Sequence, residues 1–139
     1  MLALLLALSL QQPEPLQVVV TIPDLGDLAR IIGGDRVVVA VLVPPGANPH
    51  AVLPKASLVL KLQRADALVL MGLDFEHAFL PALVEKCRNA AVRPGGAGWC
   101  CVADLITPLE VPATLDRSQA ADLHPRGNPH FNLDPENGR

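Results

Sequence analysis

Residues 17–43, QVVVTIPDLGDLARIIGGDRVVVAVLV, consist of two short apolar runs separated by an amphipathic stretch. Residues 17–22 and 36–43 are rich in β-branched side chains, and each run predicts a buried strand. In the stretch between them, apolar residues recur at the spacing of one helical face: Leu25, Leu28, Ala29 and Ile32. Pro23 suits the first turn of that helix, and the glycine pair at 33–34 favours its end. The segment therefore predicts a strand–helix–strand unit.

The same alternation continues along the chain. Residues 54–65 fit either a helix or an alternating strand, and Pro54 favours the helix. Residues 66–72 predict a third strand, and residues 99–104 predict a fourth. Before the fourth strand, Pro81 falls inside a helical pattern, where a proline can kink the helix. The apolar face of that helix is formed by Phe75, Phe79, Leu83 and Cys87. Apolar strands that alternate with helices predict an α/β fold, with a parallel sheet and helices on both faces.

The composition narrows the class of protein. The chain has 139 residues, of which half are hydrophobic and 18% are charged, so it is large enough to bury a core and is not a disordered chain. The net charge of −3 and the few aromatic side chains give no reason to expect nucleic acid as a partner. We therefore expect a single folded domain over residues 17–139.

The first residues, MLALLLALSLQQ, contain a nine-residue apolar run from Leu2 to Leu10. Such a run is too short to span a bilayer but has the length of the apolar part of a secretory signal. The positive flank and a clear cleavage site of the A-x-A kind are missing. We interpret residues 1–12 as the remnant of a signal peptide; the alternative is a frayed or buried apolar end.

The three cysteines leave two interpretations open. In an oxidising compartment Cys87 could pair with Cys100 or Cys101. Alternatively, the cysteines are small buried hydrophobic residues. No C-x-x-C motif is present, so a zinc cluster built on cysteines is not expected.

Two of the four histidines occur in the same tripeptide, Asn-Pro-His, at residues 48–50 and 128–130. Proline restrains the preceding asparagine to extended geometry, and the asparagine side chain can bond the nearby backbone, so each histidine leaves a stiff loop. His50 follows the second strand and lies at the carboxyl edge of the sheet, where α/β folds bind ligands, and His130 could reach the same edge. Two such imidazoles suit Zn²⁺, or Mn²⁺ if carboxylates complete the site. The alternative is a pair of unrelated surface histidines.

Three segments in this order resemble the N-terminal lobe of the metal-binding solute receptors that serve bacterial zinc and manganese ABC importers. They are VVVTIPDLGDLARIIGGDRVVVAVLVPPGANPHAVLPKAS, then ADALVLMGLDFEHAFLPAL, and then GNPHFNLDPENG. The first and the last are specific to the family, and the middle one is generic. The resemblance implies one lobe of a two-lobe α/β receptor, in which a long helix joins the lobes and the metal is held between them.

The resemblance also implies a function and a site. The protein is expected to be extracytoplasmic, to bind Zn²⁺ or Mn²⁺ as cargo, to pass it to a membrane permease, and to catalyse no reaction. The positions that match the family's ligands are His50 and His130. His124 has either an auxiliary metal-capturing role or none, as a solvated loop residue. Glu76 is expected to support the site without binding the metal, whereas His77 is interpreted as a packing or capping residue.

The chain departs from the family in two respects. The other two ligands of the family come from the second lobe, which this sequence does not contain, so we expect a truncated form that binds metal weakly by itself. Asparagine also stands at 48 and 128, where the family usually has aspartate at one or both loops. Two alternatives stay open: a fragment without function, and a small zinc hydrolase that uses His50, His130 and a carboxylate.

Overall fold

The computed structural model describes residues 13–114 and 124–138. Four strands form one parallel sheet in the order β2-β1-β3-β4. The strands are β1 (Leu16–Val20), β2 (Val37–Val41), β3 (Ala67–Leu70) and β4 (Trp99–Cys101). The α-helices are α1 (Pro23–Gly33), α2 (Ala56–Gln63) and α3 (Leu80–Lys86). The predicted α/β class, with its parallel sheet, is confirmed. The predicted signal remnant at 1–12 lies outside the described residues.

The strand order defines the point of reversal, where the direction in which successive strands are added across the sheet changes. The chain passes from β1 to β2 on one side of β1 and then crosses back to β3 on the other side. Right-handed crossovers therefore place α1 on one face and α2 and α3 on the opposite face. The point of reversal lies between the carboxyl ends of β1 and β3, which is where open α/β sheets form their ligand crevice.

The core surrounds the central strand β1. Val19 and Val20 are buried on opposite sides of it, as expected for a strand covered on both faces. Leu62 of α2, Leu68 of β3 and Leu83 of α3 are fully buried in the same core. Each such side chain contributes roughly 1.5–3 kcal/mol through removal of its apolar surface from water. None of the helices in the described ranges is long and apolar enough to cross a membrane.

The prediction of which residues of α1 face the core is partly wrong. Leu25 is buried, but Leu28 and Ile32 are 53% and 78% exposed. The helix instead turns Gly26 towards the sheet, where a Cβ atom would lie 3.2 Å from Val41 and 3.4 Å from Val20. The absence of a side chain at Gly26 permits this close approach, so the packing face is rotated away from Leu28 and Ile32.

The segment after β3 also differs from the prediction. Pro81 does not kink a long helix, because α3 begins at Leu80 and has the proline in its first turn, where no backbone N–H is needed. Residues 73–79 form successive turns, and Leu73 and Asp74 have positive φ angles of 51° and 65°. The predicted apolar face of Phe75, Phe79, Leu83 and Cys87 is nevertheless buried. These turns keep residues 74–77 at the carboxyl edge of the sheet.

The cysteines are free thiols, so the disulfide interpretation is wrong for this structure. Cys87 is fully buried at the end of α3 and packs in the core as a small apolar residue. Cys100 is exposed on β4, and Cys101 is half-buried beside it.

Candidate metal centre

A buried carboxylate joins the two strands that flank the point of reversal. The Glu76 carboxylate accepts hydrogen bonds from the Thr21 hydroxyl at 2.7 Å and from the backbone N–H groups of Met71 and Gly72 at 2.7 and 3.1 Å. Burial raises the pKa of Glu76, and these hydrogen bonds partly oppose that shift. Because Thr21 follows β1 and Met71 follows β3, Glu76 holds the turn at 72–77 against the carboxyl edge.

The two Asn-Pro-His loops have the same local structure. The Asn48 side-chain oxygen accepts a hydrogen bond from the backbone N–H of His50 at 2.9 Å, and Asn128 accepts one from His130 at 3.0 Å. The predicted bond between each asparagine and the nearby backbone is thus confirmed. Each bond restrains the backbone from which the histidine side chain leaves the loop.

The second loop has an additional anchor. The Asn128 side chain donates a hydrogen bond to the Glu110 carboxylate at 2.7 Å, and its backbone N–H donates to the Leu109 carbonyl at 2.8 Å. Gly127, with a φ of +110°, precedes it, and a Cβ there would lie 2.8 Å from the same Leu109 oxygen. An aspartate at 128 could accept the bond from His130 but could not donate to Glu110.

All four histidines of the chain lie in one cluster at this edge. His50 lies 5.5 Å from His77 and 5.2 Å from His124, measured between ring centroids, and His77 lies 6.0 Å from His124. His130 lies 6.4 Å from His124. Phe75 contacts both His50 and His130, at 5.6 and 5.9 Å. The predicted site residues His50, His124 and His130 are therefore brought together.

His124 is the most buried member of this cluster, at 6% exposure. Neither of its ring nitrogens has a hydrogen-bond partner within the described part of the chain, and the same holds for the buried Nδ1 atom of His50. Burial lowers the pKa of His124, and the neighbouring rings of His50, His77 and His130 lower it further. The backbone carbonyl of Asp74 acts in the opposite direction and raises the pKa, although its position relative to the His124 ring does not meet the geometry of a hydrogen bond. The lowered pKa favours a neutral imidazole, the form that binds metals.

Sequence reasoning missed the place of His77 in this cluster. The ring of His77 stacks on that of His50 with an interplanar angle of 27°, and its Nδ1 atom lies 2.9 Å from the Asp74 carbonyl oxygen. Its position just after the third strand was the available signal, because segments that follow parallel strands lie at the carboxyl edge of the sheet. Glu76 makes its hydrogen bonds to Thr21, Met71 and Gly72, behind the cluster.

The histidine side chains of the cluster are not arranged as the ligands of a metal ion. Among residues 13–114 and 124–138, no three histidine, cysteine or carboxylate groups are arranged to hold a metal ion with their side chains as they stand. The structure thus provides imidazoles with free nitrogens in close proximity, and binding would require their rings to reorient.

The profile of the family described as "ZnuA: Zinc-uptake complex component A periplasmic" matches residues 18–139. The chain belongs to this family. The description of this family names a component of a zinc-uptake complex, which is a transport role. The matched range includes every residue of the histidine cluster.

Individual ZnuA-like proteins agree with this assignment. The manganese-binding lipoprotein MntA of Bacillus subtilis is 34% identical over 82 residues, which cover 57% of this chain and 27% of MntA. A crystal structure of ZnuA superposes with a TM-score of 0.63 and 31% identity, over 90% of this chain and 42% of that one. A manganese-bound periplasmic metal-binding protein from Candidatus Liberibacter asiaticus, at 23% identity, has the same fold with a TM-score of 0.66 over 87% of this chain and 40% of its own. The chain spans less than half the length of each of these proteins.

Proposed function

We propose that this chain is the N-terminal metal-binding lobe of an extracytoplasmic solute-binding protein. It binds Zn²⁺ or Mn²⁺ as cargo and delivers the ion to an ABC-type importer in the membrane. The match to the zinc-uptake family supports this role, and relatives named as manganese and iron ABC transporter substrate-binding lipoproteins support the wider class of metal cargo.

The observation that carries the proposal is the cluster of imidazoles at the carboxyl edge of the sheet. Buried polar atoms are nearly always hydrogen-bonded, and an unpaired buried nitrogen costs stability. His50 and His124 together have three buried ring nitrogens without a partner in the described structure. A bound metal ion would use such nitrogens as ligands, which would explain why they have no hydrogen-bond partner within the described structure.

We assign the roles as follows. His50 and His130 are ligands presented by the two Asn-Pro-His loops, and His124 is an auxiliary ligand. Glu76 supports the site by holding its turn to β1 and does not bind the ion. Imidazole-rich sites favour Zn²⁺ over Mn²⁺, which prefers oxygen ligands, so we favour zinc as the cargo.

The hydrolase alternative gains no support from the geometry. A zinc hydrolase needs a carboxylate free to act as a general base beside the metal. The Glu76 carboxylate, which lies nearest in sequence to the cluster, already accepts three hydrogen bonds inside the protein. It is therefore committed to holding the fold.

The test is a competition titration of the purified chain against a zinc indicator, repeated with Mn²⁺. His50→Ala and His130→Ala should each weaken zinc binding by about tenfold or more, since even residues that only orient ligands cost about 10–100-fold when replaced. Asp35→Ala is a suitable control, because this exposed carboxylate lies at the opposite edge of the sheet, before β2. Unchanged affinity in both histidine variants would refute the assignment. Delivery is tested by zinc accumulation in cells that carry the importer, with and without this gene.

A further inference from the structure

Three of the four histidines form a closed triangle. The centroids of His50, His77 and His124 are 5.2, 5.5 and 6.0 Å apart. When imidazole nitrogens bind zinc tetrahedrally at 2.0–2.1 Å, the ring centroids are about 5 Å apart. The centroid spacings of the triangle are thus within about 1 Å of those in a zinc site, although among the described residues no three such groups are placed to hold a metal ion, so the rings must turn before they bind one. His130 contacts only one member of the triangle, His124, among the ring contacts of the described residues.

The nitrogens of this triangle are available to a ligand. His124 is 6% exposed and has two unpartnered ring nitrogens, and His50 has one buried nitrogen in the same condition. No hydrogen bond within the described structure would have to break when either of these rings turns a nitrogen towards an ion.

His77 has the hydrogen bond that is typical of a metal ligand. A carbonyl oxygen only accepts, so the bond of 2.9 Å between His77 and Asp74 requires the proton to be on Nδ1. This tautomer leaves the Nε2 lone pair free for a metal. Metal-binding histidines almost always donate their other ring N–H to a carbonyl or a carboxylate in this way.

The backbone at two of these histidines, His50 and His77, is held in place by hydrogen bonds. The Asn48 side chain accepts the His50 N–H at 2.9 Å, and the His77 N–H donates to the Asp74 carbonyl at 3.2 Å. Glu76 holds the turn that carries His77 to the end of β1 through Thr21. Two ligands are therefore presented by restrained loops, so that little conformational entropy is lost when the rings bind.

We propose that His50, His77 and His124 form a zinc site contained within this single lobe. The inference rests on the proposed function, because it names further ligands for the same cargo. Three imidazoles leave a fourth position open, which water or His130 fills. The weak binding expected from the sequence assumed two histidines, and a third ligand within the lobe raises the affinity of the isolated chain.

The first test compares His77→Ala and His124→Ala with His50→Ala, His130→Ala and the Asp35→Ala control in the same zinc titration. The proposal predicts that His77→Ala and His124→Ala each lower zinc affinity by at least about tenfold. If only His50→Ala and His130→Ala weaken binding, the triangle is wrong and the proposed function stands. If none of the four has an effect, both are wrong. If His130→Ala alone is without effect, the triangle stands and His130 is not a ligand.

A second measurement uses the unaltered chain, so that misfolding of a variant cannot affect the result. Long-range ¹H–¹⁵N spectra of the four imidazoles are recorded before and after one equivalent of Zn²⁺. The nitrogen resonances of His50, His77 and His124 should shift together, and His77 should respond through Nε2 while Nδ1 stays protonated. A His77 ring whose two nitrogens do not shift would overturn the proposal.

Discussion

The Thr21 hydroxyl donates a hydrogen bond of 2.7 Å to the Glu76 carboxylate between the ends of β1 and β3. Both residues are buried, and they are 55 positions apart in the chain. This bond attaches the turn that carries His77 to the central strand of the sheet. The position of one side of the histidine cluster therefore depends on a polar contact inside the core.

Replacement of Thr21 by valine should destabilise the protein. Valine has nearly the same shape but no hydroxyl, so the buried Glu76 carboxylate loses one of its donors. We expect Thr21→Val to lower the free energy of unfolding by about 1–3 kcal/mol, as measured by urea denaturation. Thr107→Val, at an exposed position, is the matched control and should have little effect. Equal stability of the two variants would contradict the importance of this bond.

Glu76→Gln should change how stability depends on pH. Burial raises the folded-state pKa of Glu76 above its ordinary value of 4.5. A group of this kind contributes stability below its unfolded pKa and loses it as the pH rises through the folded pKa. The advantage of the wild type over Glu76→Gln should therefore shrink as the pH rises from about 4 upwards.

Urea denaturation at a series of pH values measures this difference. Glu85→Gln, an exposed position on α3, serves as the control for loss of one surface charge. Parallel stability curves for the wild type and Glu76→Gln would show that the pKa of Glu76 is not raised.

The two asparagines should respond differently to aspartate, although their loops are alike. At residue 48 an aspartate can still accept the His50 N–H, so Asn48→Asp should leave the melting temperature nearly unchanged. At residue 128 an aspartate cannot donate to Glu110, so that hydrogen bond is lost. Two carboxylates then stand where the side chains of Asn128 and Glu110 are now 2.7 Å apart. Asn128→Asp should therefore lower the unfolding free energy by up to about 1 kcal/mol, because the pair is exposed to solvent. Thermal denaturation of the two variants side by side is the test, and a lower melting temperature for Asn48→Asp would be inconsistent with the structure.

The orientation of α1 predicts unequal effects along its apolar residues. Leu25→Ala removes a buried side chain and should cost about 2–5 kcal/mol of unfolding free energy. Ile32→Ala changes a residue that is 78% exposed and should cost less than about 0.5 kcal/mol. The face predicted from sequence spacing alone would make the two costs similar, so denaturation of both variants distinguishes the two orientations.

The sequence by itself determined the features that depend on neighbouring residues. Apolar runs, rich in β-branched residues in the first two, predicted all four strands, and their alternation with helices predicted the parallel sheet, because these patterns follow from the periods of strand and helix. The turns before His50 and His130 were predictable for the same reason, since each asparagine bonds the histidine two residues later. The family resemblance then indicated which histidines match the metal ligands of the family.

Only the tertiary structure decided which distant residues meet. Helical spacing could not show that Gly26 faces the sheet, because the close approach depends on Val20 and Val41 on the strands beneath it. Nor could it show that His77 joins His50 and His124, since these residues come from separate loops and meet through the order of the strands. The number of imidazoles available to a metal ion is set by that order, because parallel strands bring the segments that follow them to one edge of the sheet.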